Sequence, residues 1–90
     1  MSSSIPGTPQ SLARIVVVED DEVINESLTV RFEAQGYAVS RAFDGPSAVA
    51  VFEADSPDLV VLDLMLPGFD GLEVCRRIQA VRPVPVLMLT

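Results

Sequence analysis

Four of the chain's thirteen acidic residues stand where an apolar run stops. Glu19, Asp20 and Asp21 follow Val16-Val17-Val18, and Asp63 follows Val60-Val61-Leu62. Short β-branched runs of this kind are expected of strands buried on both faces of a parallel sheet. In open α/β sheets, ligands bind beyond the carboxyl ends of the strands, near the point where strand order reverses. If the two strands are neighbours, these acids converge at one end of the sheet. Like charges so close repel one another unless a cation bridges them. The chain contains no histidine, and hard oxygen donors without imidazole or thiolate suit Mg2+ or Mn2+ rather than Zn2+. Mg2+ usually takes one or two carboxylates and leaves its other positions to water and phosphate oxygens. A carboxylate bound to such an ion, beside open coordination positions, is placed to attack phosphorus and form an aspartyl phosphate.

A plainer role competes for some of these residues. Acids that follow strands often cap the next helix, and Asp20 or Asp21 could do so for the first helix. That reading has less force for Asp63, which ends an apolar strand and precedes the turn pair Pro67-Gly68.

The elements that would hold the acids follow from periodicity. Met1 to Ala13 is rich in Ser, Pro and Gly and reads as a flexible lead-in. Arg14–Val18 is the first strand. Ile24, Leu28 and Phe32 recur every four residues and mark an amphipathic helix that closes at Gly36, a good residue for the position after a helix end. Tyr37–Arg41 is a weaker strand. Asp44-Gly45-Pro46 opens a second helix, with Pro46 tolerated in its first turn; Ala48, Val51 and Phe52 form its inner face and Ser56-Pro57 ends it. Leu59–Leu62 is the third strand. Pro67-Gly68 fits a type II turn. Asp70 and Glu73 have the spacing of a capping box for a third helix with apolar positions Val74, Cys75, Ile78 and Val81. Pro85–Leu89 is a fourth strand, its proline confined to the start. The order β-α-β-α-β-α-β predicts parallel strands joined by right-handed crossovers, a doubly wound α/β fold.

Composition bounds the rest. Ninety residues make one small domain or a piece of one. With 49% of residues hydrophobic and 21% charged, the chain has enough apolar matter to build a core. The net charge of −7 argues against a nucleic-acid surface on these residues. Cys75 is the only cysteine, so no internal disulfide forms, which suits the cytoplasm. No apolar run approaches the roughly 18–20 residues of a membrane span, and the first thirteen residues lack the features of a signal peptide.

Three segments, Val17-Val18-Glu19-Asp20-Asp21-Glu22, Leu62-Asp63-Leu64-Met65-Leu66-Pro67-Gly68-Phe69-Asp70-Gly71-Leu72-Glu73-Val74 and Pro85-Val86-Leu87-Met88-Leu89-Thr90, resemble the receiver domain of bacterial response regulators. The resemblance covers residues 14–90. The spacing is specific, with 43 positions from Asp20 to Asp63 and 27 from Asp63 to Thr90. The wording around Asp63 is most similar to the subfamily with a winged-helix DNA-binding output domain. The resemblance implies a flavodoxin-like fold and a non-enzymatic phospho-acceptor partnered by a sensor histidine kinase. Asp63 would then take the phosphoryl group. Asp20 would ligate Mg2+ directly, with Asp63 beside it, and Glu19 would reach the ion through water. Met65 would offer its backbone carbonyl to the metal, and Thr90 would hydrogen-bond the phosphoryl group and couple it to a conformational switch. DNA would be reached only through an output domain absent from this chain, and the full-length protein could be a homodimer.

The sequence also departs from that pattern. The family continues past its threonine with a helix, a strand ending in lysine and a last helix; this chain ends at Thr90 and holds no lysine. The expectation is an incomplete receiver fold of four strands and three helices, its fourth strand an exposed edge. Other readings fit less well. Cys75, at a helical apolar position, reads as core rather than redox centre, and Arg76 and Arg77 as a solvated helix face. A phosphatase with an aspartate nucleophile would have a second aspartate at the place of Met65. A dinucleotide-binding fold would need a glycine-rich turn where Glu19-Asp20-Asp21 stand. A receiver-like binding module that is not regulated by phosphorylation is the alternative that stays open.

Overall fold

A computed structural model of the chain describes residues 13–66 and 70–89. The elements follow one another as β1 (Arg14–Val18), α1 (Glu22–Ala34), β2 (Ala38–Ala42), α2 (Gly45–Asp55), β3 (Leu59–Asp63), α3 (Gly71–Val81) and β4 (Val86–Leu89). All pairings are parallel and the sheet order is β2-β1-β3-β4. The chain therefore turns back on itself between β1 and β3, the two strands that end in acids. Among the described residues β4 pairs only with β3, leaving it at the edge, with Leu87 half exposed.

Strand alternation divides the core. Val16, Val18, Val60 and Leu62 face α2 and α3, where Ala48, Phe52, Val74 and Ile78 close a buried layer. Ile15, Val17 and Val61 face the other way, with Leu28 and Phe32 of α1 packed against them. No helix among the described residues is long and apolar enough to cross a membrane.

Each helix opens on an aspartate. Asp21, Asp44 and Asp70 accept hydrogen bonds from the amides three residues on, Ile24 at 3.0 Å, Ser47 at 2.8 Å and Glu73 at 2.9 Å. Such caps satisfy donors that the helix itself leaves unpaired. Gly36 follows α1 with φ of 99°, a conformation that glycine adopts without steric penalty.

The structure corrects the sequence reading at several places. Ile24 lies off the inner face of α1 and is exposed, while Asn25 and Thr29 are buried there. A four-residue repeat overshoots a 3.6-residue turn by about 40° each time, so three residues so spaced cannot share a narrow face. In α3 the buried positions are Gly71, Val74 and Ile78; Val81, the last residue, is exposed, and Val84 beyond the helix enters the core instead. Only the Asp70 half of the capping box forms, because the Glu73 carboxylate turns forward to Arg76 and Arg77. Of the edge strands, β2 is shifted by one residue, starting at Ala38 after Tyr37, whose ring meets Phe32 edge-on, while β4 ends at Leu89 as expected and starts one residue late, after Pro85. The turn expected at Pro67-Gly68 lies outside the described residues.

Candidate cation and phosphoryl site

The register of the sheet puts the acids side by side. Val18 of β1 is level with Leu62 of β3, so Glu19 and Asp63 come one residue later on neighbouring strands. One carboxylate oxygen each from Glu19, Asp20 and Asp63 lies within 4.8 Å of the others. Asp21 stands apart from this group, with its side chain capping α1.

The burial is graded. Glu19 is only 6% exposed, Asp63 is half-buried and Asp20 is open to solvent. Burial pushes the Glu19 carboxyl above its ordinary range; the Asp21 amide, which donates to Glu19 Oε2 at 3.0 Å, opposes the rise, and the charge of Asp63 adds to it. A carboxylate disfavoured in this way by burial, with a like charge beside it, is what a bound cation would relieve. All three residues offer hard oxygen donors of the kind Mg2+ takes, so the site fits that ion. Five of the six arginines are engaged elsewhere: Arg14 with Ser40, Arg41 with Asn25, Arg76 and Arg77 with Glu73, and Arg82 with the Pro57 carbonyl.

The backbone around the acids is held from several sides. The Glu19 amide donates to the Ala42 carbonyl at the end of β2, 3.1 Å away. Asp63 Oδ1 accepts from the Met65 amide at 2.9 Å, which leaves Oδ2 unengaged by that bond. Leu64 donates to the Leu89 carbonyl at 3.1 Å and accepts from the Gly71 amide at 3.0 Å. The last contact requires glycine: a Cβ at Gly71 would stand 2.5 Å from the Leu64 Cα. The N-terminus of α3 is thus seated directly on the segment that follows Asp63. Met65 turns its side chain into solvent, 78% exposed, so its thioether takes no part in the cluster. Thr90 lies outside the described residues.

Two residues that the sequence reading did not assign belong to this frame. Gly71 was legible only as one letter of a longer motif. Asn25 occupies a helix position whose neighbours in space, Leu28, Thr29 and Phe32, are three, four and seven residues on. A polar residue on that stripe was the available signal.

Four parallel strands with helices on both faces, and carboxylates gathered where the strand order reverses, define a doubly wound α/β domain with its acidic cluster at the usual place for a ligand site. Residues 15–90 match the model of the response regulator receiver domain, and the chain belongs to that family. It is 47% identical over 76 residues to the transcriptional regulatory protein CseB of Streptomyces coelicolor and 45% identical to that of Streptomyces avermitilis. Those matches cover 84% of this chain and 32% of either relative, so the chain spans about a third of their length. Among solved structures, it is similar to the N-terminal domain of a response regulator receiver protein from Methanoculleus marisnigri. That likeness has 40% identity and a TM-score of 0.83, over 88% of this chain and 67% of the other. It is also similar to the BeF3-activated N-terminal receiver domain of Klebsiella pneumoniae RstA, with 35% identity and a TM-score of 0.81 over 86% and 66%.

Proposed function

We propose that Asp63 accepts a phosphoryl group from a sensor histidine kinase and that the phosphorylated chain switches a transcriptional output carried elsewhere in the protein. The observation that supports this most is the meeting of Glu19, Asp20 and Asp63 within 4.8 Å at the reversal point of the sheet. The Met65 amide holds one oxygen of Asp63 and so orients the carboxylate. The other oxygen attacks phosphorus: an O–P bond forms, the P–N bond of the donor phosphohistidine breaks, and the departing imidazole keeps the electron pair. A Mg2+ ion held by Asp20 and Asp63, with Glu19 reaching it through water, would neutralise charge on the transferring oxygens. Asp20 stays exposed for that contact while the anchored Glu19 backbone fixes its place. Met65 is assigned a metal contact through its carbonyl, and Thr90 a hydrogen bond to the bound phosphoryl group. The acidic chain itself makes no DNA contact in this reading; a cytoplasmic setting, an output domain and a homodimer belong to the whole protein.

Intact mass after treatment with a small phosphodonor and Mg2+ tests the reading. The protein should gain one phosphoryl group, and Asp63→Asn should gain none. Labelling that persists in Asp63→Asn would remove Asp63 from its role.

A further inference from the structure

The fully buried side chain of Asn25 does more than fill space under α1. Its Nδ2 donates to two main-chain carbonyls, Glu19 at 3.0 Å and Ala42 at 3.0 Å, which are the ends of β1 and β2. Its Oδ1 accepts from Arg41 Nε at 2.7 Å. The Arg41 guanidinium in turn lies over the Phe43 ring, 5.2 Å from its centroid. Both amide protons and the amide oxygen of Asn25 are therefore used. A flipped amide would set Oδ1 against two carbonyl oxygens and Nδ2 against a cation, so the two carbonyls and Arg41, with the Thr29 hydroxyl donating to Oδ1 at 3.4 Å, together fix which way the amide points.

We infer that Asn25, oriented by Arg41, is a positioning residue that fixes the aim of Glu19 and Asp20 toward the cation site. This rests on the proposed reading of Glu19, Asp20 and Asp63. The path is short. The Glu19 amide is tied to Ala42 and the Glu19 carbonyl to Asn25, so both ends of this residue's backbone are held. Because the peptide unit is planar, the carbonyl that Asn25 grips sets the plane from which Asp20 leaves. Packing alone would be served as well by leucine at this position; only an amide both donates to two strand ends and accepts from Arg41.

Mg2+ titration of the intact protein, followed by NMR, tests this, with thermal midpoints measured without metal. Partners that orient metal ligands are worth about tenfold or more in affinity, so Asn25→Leu should weaken Mg2+ binding by about that factor. Arg41→Gln, a change at an exposed residue, should weaken it by a smaller factor and speed solvent exchange of the Asn25 amide protons in metal-free protein. Ile78→Val, in the opposite core layer, should lower the midpoint and leave Mg2+ affinity alone. If Asn25→Leu fails to fold, Arg41→Gln decides. Native affinity in both variants, or an equal loss in Ile78→Val, would overturn the inference while leaving the site reading intact. A native protein that does not bind Mg2+ would overturn both.

Discussion

Val18 and Leu62 are register partners at the centre of the sheet, both wholly buried under α2 and α3. One residue further along the same strands stand Glu19 and Asp63, where apolar contact gives way to like charges. The two regions are built from the same segments and obey opposite rules. The buried layer gains stability from each side chain, since apolar area leaves water and interior packing is dense. At the acidic end burial disfavours the charged form of Glu19, and the charge of Asp63 adds to that cost. A change in the first region should lower stability without touching ion binding, whereas removing a charge in the second should weaken ion binding and raise the stability of metal-free protein.

The largest effect tests the first half. Phe52 is 1% exposed and supports the Arg82 guanidinium, 4.9 Å above its ring. Truncation of a buried phenylalanine costs about 3–5 kcal/mol, so Phe52→Ala should bring the domain close to unfolding in denaturant titrations. Its folded fraction should still bind Mg2+ as the native protein does. Weakened binding in that fraction would show that the layer and the site are coupled.

Gly71 is where the separation should blur. A methyl group there meets the Leu64 main chain, which cannot swing aside as a side chain can. Overpacking of this kind costs about 1–3 kcal/mol, less than the Phe52 truncation. Yet Gly71→Ala should also slow phosphoryl labelling, because the displaced backbone is the segment directly after Asp63. Denaturant titration and the rate of mass gain, measured on one sample, separate the two consequences. A stability loss with an unchanged labelling rate would place Gly71 wholly with the core.

What could be read from the sequence divides along similar lines. The strand cores were legible because burial on both faces demands unbroken apolar runs, as in Val16-Val17-Val18 and Val60-Val61-Leu62. The acids were legible because they break those runs, and the three helix starts because aspartate caps act within four residues of chain. The facing of α1 was not. Its apolar residues suggested a stripe through Ile24, but the helix turns Asn25 inward to reach carbonyls on two strands, 6 and 17 residues distant in sequence. The tight seat of Gly71 on Leu64 likewise depends on how α3 returns to the sheet, which no local pattern encodes.

The smallest expected effect concerns Glu19 itself. Burial, reinforced by the charge of Asp63, places its folded pKa above the ordinary 4.5, so the neutral form is favoured in the fold. Its contribution to stability is complete below that ordinary value and is lost as pH rises through the folded value. Asp44 and Glu73 run the other way. The Ser47 amide holds the first low and the Arg77 hydrogen bond the second, so their contributions fail only as pH falls through their lowered values. In the window above the ordinary value for Glu19, only Glu19 among these three drives the change. Metal-free protein should therefore melt somewhat higher just above the ordinary value of 4.5 than at a higher pH where Glu19 is ionised in the fold. Glu19→Gln keeps an oxygen for the Asp21 amide and removes the charge. It should raise the midpoint at the higher pH and flatten the difference between the two. Saturating Mg2+ should stabilise the native protein most at the higher pH, where Glu19 is ionised, and stabilise Glu19→Gln less. Parallel melting of Glu19→Gln and native protein at both pH values would mean that the acidic end costs the fold nothing, and the contrast with the buried layer would fall.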